Sequence, residues 1–196
     1  RMRESRFTWV SSNVLDPATG VPFASAVSFA LREYNRIRVA FIGLTTPETR
    51  TLSKGGKSLT FLDPIPAAKA AVAHAQRAKA DLIVALTHQN MVDDQQLAAA
   101  IPAIDLVLGG HEHVPMDAKV GKTLILKVGA EGVALGRIDV LVKVGKGGRQ
   151  VETKWELIAV TDEIPDQPRV AALMKQYEGQ MAAQLNAVAG ATSTPL

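Results

Sequence analysis

The 196-residue chain has no cysteine, few aromatic residues (5%) and no long apolar run. Without cysteine there can be no disulfide and no thiolate metal site, and the redox compartment stays open. None of its apolar runs approaches the roughly 20 residues of a membrane-spanning helix. The scarcity of aromatics beside abundant alanine and valine predicts a core of small aliphatic side chains. The net charge of +3 and pI near 9.3 come without any stripe of lysine and arginine interleaved with aromatics, so a nucleic-acid polymer is not an expected partner. What is present is a globular composition, 47% hydrophobic and 21% charged, and enough length for one domain with a sizeable core. The chain opens Arg1-Met2-Arg3. An arginine start is expected to be a processing boundary, so the lack of a leader here says nothing about a longer parent.

Continuous apolar runs at Arg38–Leu44, Asp81–Leu86 and Asp105–Leu108 lack alternation, as strands covered on both faces do. Phe7–Val14 is β-prone and stops at the turn cluster Asp16-Pro17-Ala18-Thr19-Gly20. Between the apolar runs lie two helical patterns. Pro64–Ala80 has Asp63 as its N-cap and prolines in its first turn, and Asp93–Ala100 closes at Ile101-Pro102. This order predicts βαβ units and a mixed or parallel sheet. Thr123–Val128 reads as a further strand. Ile138–Val144 and Val151–Leu157 alternate around Gly145-Lys146-Gly147-Gly148, which predicts a hairpin with one wetter face. A last helix carries Val170, Leu173, Tyr177, Met181 and Leu185 at spacings of three and four.

Three of the four histidines occupy informative places. His88 follows the second apolar run, and His111 and His113 follow the third and its double glycine. Adjacent parallel strands present their carboxyl ends on one edge, where ligand sites form in α/β sheets. Neutral imidazole is a good ligand for zinc, iron, copper and nickel. In an extended segment residues two apart share a side, so His111 and His113 can reach one ion or two neighbouring ones. A single strand-end histidine is ordinarily a hydrogen-bonded surface or core residue, and the residue pattern alone leaves both readings open. His74, mid-helix among alanines, reads as a solvated face residue. Asp93 and Asp94 read as helix N-terminal charges, and Glu112 as a group facing water. Asn90 is a candidate phosphate contact and, more simply, a loop cap.

The segments Ala85-Leu86-Thr87-His88 and Ile104–His113, the latter ending Gly-Gly-His-Glu-His, resemble the last two metal-binding blocks of the calcineurin-like metallophosphoesterases. Trp9–Val14 with Gly20–Phe23, then Arg38–Thr49, then Gly129–Asp139 are similar to the 5'-nucleotidase branch, which includes UDP-sugar hydrolases and cyclic-nucleotide phosphodiesterases. The resemblance covers about residues 7–160. It implies an α/β fold in which a mixed β-sheet sandwich is flanked by helices, here incomplete and followed by a C-terminal linker helix. It also implies two divalent metal ions (zinc, manganese or iron), with His88 and His111 on one and His113 on the other. The implied substrates are nucleotide phosphomonoesters or phosphodiesters.

The chain contains no Asp-x-His, no Gly-Asp and no Asn-His, so the family's first three blocks, with the bridging aspartate and the catalytic histidine, are absent. The expected organisation is therefore the second half of a metallophosphoesterase domain at 1–162, a linker helix at 163–190, and the entry to a further nucleotidase domain at 191–196. Such a piece is expected to lack activity alone and to self-associate through exposed sheet edges. Alternatives are a non-catalytic half-domain binding at most one adventitious metal, and a relative acting on a UDP-sugar or sulfur ester. The resemblance implies a periplasmic or secreted location.

Overall fold

A computed structural model describes residues 2–54, 56–145, 148–186 and 190. Lys146 and Gly147 of the hairpin connection, and the tail at 191–196, lie outside the described residues. The chain divides into two units, the first through Ala159 and the second from Val160.

In the first unit the strands are β1 (Val14–Leu15), β2 (Phe29–Tyr34), β3 (Ile37–Thr45), β4 (Thr60–Phe61), β5 (Leu82–His88), β6 (Leu106–Gly109), β7 (Pro115–Val120), β8 (Thr123–Val128), β9 (Ala134–Gly145) and β10 (Gly148–Ala159). Its helices are the short α1 (Thr49–Leu52), α2 (Pro64–Arg77) and α3 (Met91–Ala100). The main sheet has six strands in the order β2-β3-β5-β6-β8-β7. The four central strands β3, β5, β6 and β8 run parallel, and β2 and β7 pair antiparallel at the edges. The three continuous apolar runs are thus three of the four central strands, buried along most of their length.

One face of the sheet is covered by the alanine-rich sides of α2 and α3. Ala68, Ala71, Val72, Ala75, Leu97 and Ala98 pack against Ala40, Ile42, Ile83, Ala85, Val107 and Ile125. Small side chains let the helices approach closely, which is how a chain poor in aromatics closes its core. The other face takes the β9–β10 hairpin, whose Ile138, Val140, Val142 and Val151 sit on Val39, Leu82, Val84, Leu106, Leu124 and Leu126. The alternation in β9 is the sign of this packing, with one side on the sheet and the other wet. Arg149 clamps the hairpin to the sheet by donating to the Asp81 carbonyl oxygen and the Asp105 carboxylate. The result is a mixed α/β sandwich flanked by helices.

Three local expectations are corrected. Phe7–Val14 is not a continuous strand: only Val14 joins β1. Its backbone is spent on a strap across the end of β3, with Ser12 N donating to Gly43 O at 2.7 Å and Ser11 N to Val27 O at 2.9 Å. The edge strands β2 and β7 were not expected from sequence. β2 is joined to β3 through Asn35 and Arg36, both at positive φ (49° and 68°), the backbone of a two-residue hairpin turn without glycine. β7 opens on Pro115 and carries Asp117 and Lys119, residues that an edge strand tolerates and a central one does not. The second helix begins at Met91 rather than Asp93, because Asn90 caps it.

The second unit holds α4 (Pro168–Leu185), capped by Gln167, whose side chain accepts from Val170 N at 2.8 Å. Its Val170, Leu173, Met174, Tyr177 and Met181 are exposed.

Candidate metal centre

The carboxyl ends of β5 and β6 carry the histidines. His88 is the last residue of β5, and its carbonyl accepts from Thr46 N at 2.9 Å, which ties it to the end of β3. Gly110 N donates to Thr87 O at 2.9 Å, so the loop after β6 folds back over the end of β5. The double glycine makes this approach possible. A Cβ on Gly109 would stand 2.8 Å from Lys127 Cε, and one on Gly110 would stand 3.3 Å from His88 Nδ1. Any larger residue at Gly109 would press on the side chains beneath it.

Of the three predicted residues, the structure brings two together. The rings of His88 and His111 have centroids 5.3 Å apart at an interplanar angle of 82°. Two imidazoles on one tetrahedral ion, each at a metal–nitrogen distance of about 2.0–2.1 Å, also stand with ring centres about 5 Å apart. The same separation and angle are also those of an ordinary edge-to-face ring contact. His113 lies further along the same loop and is exposed, yet it is near enough for its charge to act on His88. Among the described residues no group of three or more His, Asp or Glu side chains is close enough to hold an ion.

Burial of the ring, followed by the charges of His111, Lys127 and His113, holds the His88 imidazole below its ordinary value of 6.5. That keeps the ring neutral near pH 7, the state in which it can ligate.

Beneath the loop lies a group of charges that the sequence reading misplaced. Lys127, in β8, is wholly buried. Its Nζ donates to Gln89 O at 2.6 Å, pairs with Glu112 Oε2, and lies 3.0 Å from Asp94 Oδ2. Glu112 keeps only 24% of its side chain exposed, and its carboxylate is turned to protein partners. Its second oxygen accepts from Met91 N at 2.6 Å. Burial alone would raise its carboxyl, but the Lys127 ammonium and the Met91 amide outweigh that and hold it below its ordinary value. Asp94 is likewise no solvated helix charge, since its side chain is fully out of water. Burial pushes its carboxyl up, opposed by Lys127, Thr87 and Gln89. Lys127 was missed altogether, although a lone lysine inside Thr123–Val128 was the available signal. A cation in a strand covered on both faces must be paired.

Asn90 caps α3, with Oδ1 accepting from Asp93 N at 2.9 Å and Nδ2 donating to Asp93 Oδ2 at 2.8 Å. Asp93 is a half-buried first-turn charge, and His74 is exposed beside Phe29. Next to His88 opens a cleft of about 480 Å³, walled by Trp9, Phe23, Leu44, Leu86 and Leu108.

A mixed sheet with helices on one face, a hairpin on the other and two imidazoles at the carboxyl edge defines an α/β protein with a histidine pair at its strand ends. Comparison with known proteins narrows the class. No family model matches the chain. It is 29% identical over 175 residues to the trifunctional nucleotide phosphoesterase protein YfkN of Bacillus subtilis, covering 86% of this chain and 12% of that protein. It is 32% identical over 129 residues to a 5'-nucleotidase of Vibrio cholerae, covering 57% of this chain and 23% of that enzyme. Among solved structures, the sulfate thiohydrolase SoxB of Thermus thermophilus superposes with a TM-score of 0.78 at 28% identity, over 92% of this chain and 33% of that one. In sequence and in fold the chain is thus similar to nucleotide phosphoesterases, 5'-nucleotidases and a sulfate thiohydrolase. It spans no more than a third of the length of any of the three.

Proposed function

We propose that this chain supplies the imidazole side of a two-metal phosphoesterase site that acts on nucleotide phosphomonoesters or phosphodiesters. The observation that carries the reading is the His88–His111 pair, 5.3 Å apart at the ends of adjacent parallel strands. His88 and His111 would hold one divalent ion and His113 would contribute to the second, with zinc, manganese or iron as occupants. Such ions bind phosphate oxygens, lower the pKa of a bound water and offset charge developing at phosphorus. The chain's own part is narrower. The two rings offer nitrogen donors, and the backbone bonds of Thr46 and Gly110 hold their strand ends together.

Two nitrogen donors do not complete a four-coordinate ion. The remaining ligands are proposed to come from segments outside this sequence, so the chain alone is inactive. The apolar cleft beside His88 supports a partner for that face, whether another segment of a longer protein or a second copy. The proposed location is periplasmic or secreted; among the described residues no helix is long and apolar enough to cross a membrane.

The test is calorimetric titration of the purified chain with Zn²⁺, beside an assay of nucleoside-monophosphate hydrolysis. Expected are weak binding that His88→Ala and His111→Ala each diminish, and no turnover above the variants' background. Turnover well above the His88→Ala control would overturn the proposed inactivity. Binding that neither substitution changes would overturn the metal reading. A second reading, a sulfur-ester substrate, is favoured by the likeness to the sulfate thiohydrolase. Hydrolysis of such esters, and not of nucleotides, by the longer protein containing this sequence would establish it.

A further inference from the structure

Glu112 stands between the two histidines of the loop, and both of its carboxylate oxygens are engaged on the inner side. One accepts from the Met91 amide, the first residue of α3, and the other pairs with Lys127 Nζ. Lys127 in turn donates to the Gln89 carbonyl, one residue beyond His88. One carboxylate thus joins the histidine loop to α3 and β8, and through Lys127 to the backbone that follows β5. His111 itself has φ +84°, a conformation that a residue with a Cβ adopts only when its surroundings hold it there. The chain bends at residues 111–114, so the inner bonds of Glu112 fix the backbone from which His111 and His113 project.

We propose that Glu112, seated on buried Lys127, is a positioning residue that fixes the direction of the His111 and His113 imidazoles toward a cation. This rests on the reading of the histidines as ligands. Glu112 acts through the loop and is no ligand itself, because both its oxygens are already used. Asp94, 3.0 Å from Lys127, balances the buried ammonium.

The experiment is a Zn²⁺ titration of the whole chain by calorimetry, with a thermal melt of each metal-free variant alongside. Partners that orient metal-ligating histidines are worth about 10–100-fold in affinity. Glu112→Ala is expected to weaken Zn²⁺ binding by about tenfold or more. Glu112→Gln has one amide oxygen, which can accept from only one of the two donors while its NH2 faces the other, so a loss in the same direction is expected. Leu97→Ala, a cavity in the fully buried core of α3, lowers the melting temperature and leaves Zn²⁺ affinity unchanged. If Glu112→Ala does not fold, Glu112→Asp takes its place with the same direction expected, since one methylene fewer cannot span both donors. Zn²⁺ binding by the Glu112 variant equal to wild type, while His111→Ala binds less, overturns the positioning role and leaves the histidine reading standing. Equal binding by His88→Ala, His111→Ala and wild type overturns that reading, and this proposal with it.

Discussion

Lys127 Nζ lies 3.0 Å from Asp94 Oδ2, and neither side chain touches water. A strand and a helix that are distant in sequence are held together by a charge pair at the base of the histidine loop. Taking two charges out of water is costly, and the arrangement is stable only because Glu112 and the Gln89 carbonyl complete the shell of the ammonium.

Removing the cation leaves two carboxylates without it. Lys127→Met is expected to cost about 3–5 kcal/mol of unfolding free energy, as breaking a buried pair does. Replacing Lys127, Asp94 and Glu112 together by uncharged residues of similar volume should cost less than the single change. Urea denaturation of the three single variants and the triple variant measures both. A triple variant less stable than Lys127→Met would show that the charges stabilise the fold outright.

At Gly43 the strap formed by residues 10–12 passes over β3. A Cβ there would stand 2.3 Å from the Val10 carbonyl oxygen, a backbone atom that cannot rotate away. Gly43→Ala is therefore expected to displace the strap and break the Ser12 N–Gly43 O bond. Hydrogen exchange should show faster exchange of the Ser11 and Ser12 amides, with protection in the β5–β6 ladder retained. Unaltered protection of both amides would refute the crossing.

Asn90 serves α3 as its cap, so its substitution has a local cost. Asn90→Ala should lose about 0.5–2 kcal/mol, and Asn90→Asp, which still accepts from the Asp93 amide, should lose little. Thermal melts decide this. An equal loss in both variants would mean that the amide donor to Asp93 Oδ2, not the cap, supplies the stability.

Leu86 (40% exposed) and Trp9 (37% exposed) line the open cleft beside His88. Concentration-dependent self-association is expected from such a face, and Leu86→Asp should reduce it. Sedimentation at several concentrations provides the measurement, and a monomer throughout would argue against the cleft as an interface.

Much of the architecture was legible because periodicity and burial are linked in a one-to-one way. Apolar runs without alternation became β3, β5 and β6, and alternation at Ile138–Val144 became a strand with one face on the sheet. Asp63 before Pro64-Ile65-Pro66 announced the start of α2. The edges were not legible. β2 and β7 gain their strand conformation from a neighbour's unpaired backbone, and edge positions accept Glu33, Pro115 and Asp117 without penalty. Phe7–Val14 failed for the converse reason: its β-propensity is real, but its hydrogen-bonding groups are taken by Gly43 and Val27 rather than by a strand partner.

The sequence by itself determined the strand–helix order and the placing of His88, His111 and His113 at strand ends, because local pattern and chain order are properties of one dimension. Only the tertiary structure decided that His88 and His111 meet while His113 stays exposed. It alone turned Glu112 and Asp94 inward onto Lys127. A charged residue reads as solvated until a buried partner of opposite sign is brought to it, and such partners, here 15 residues apart for Glu112 and Lys127, are chosen by packing.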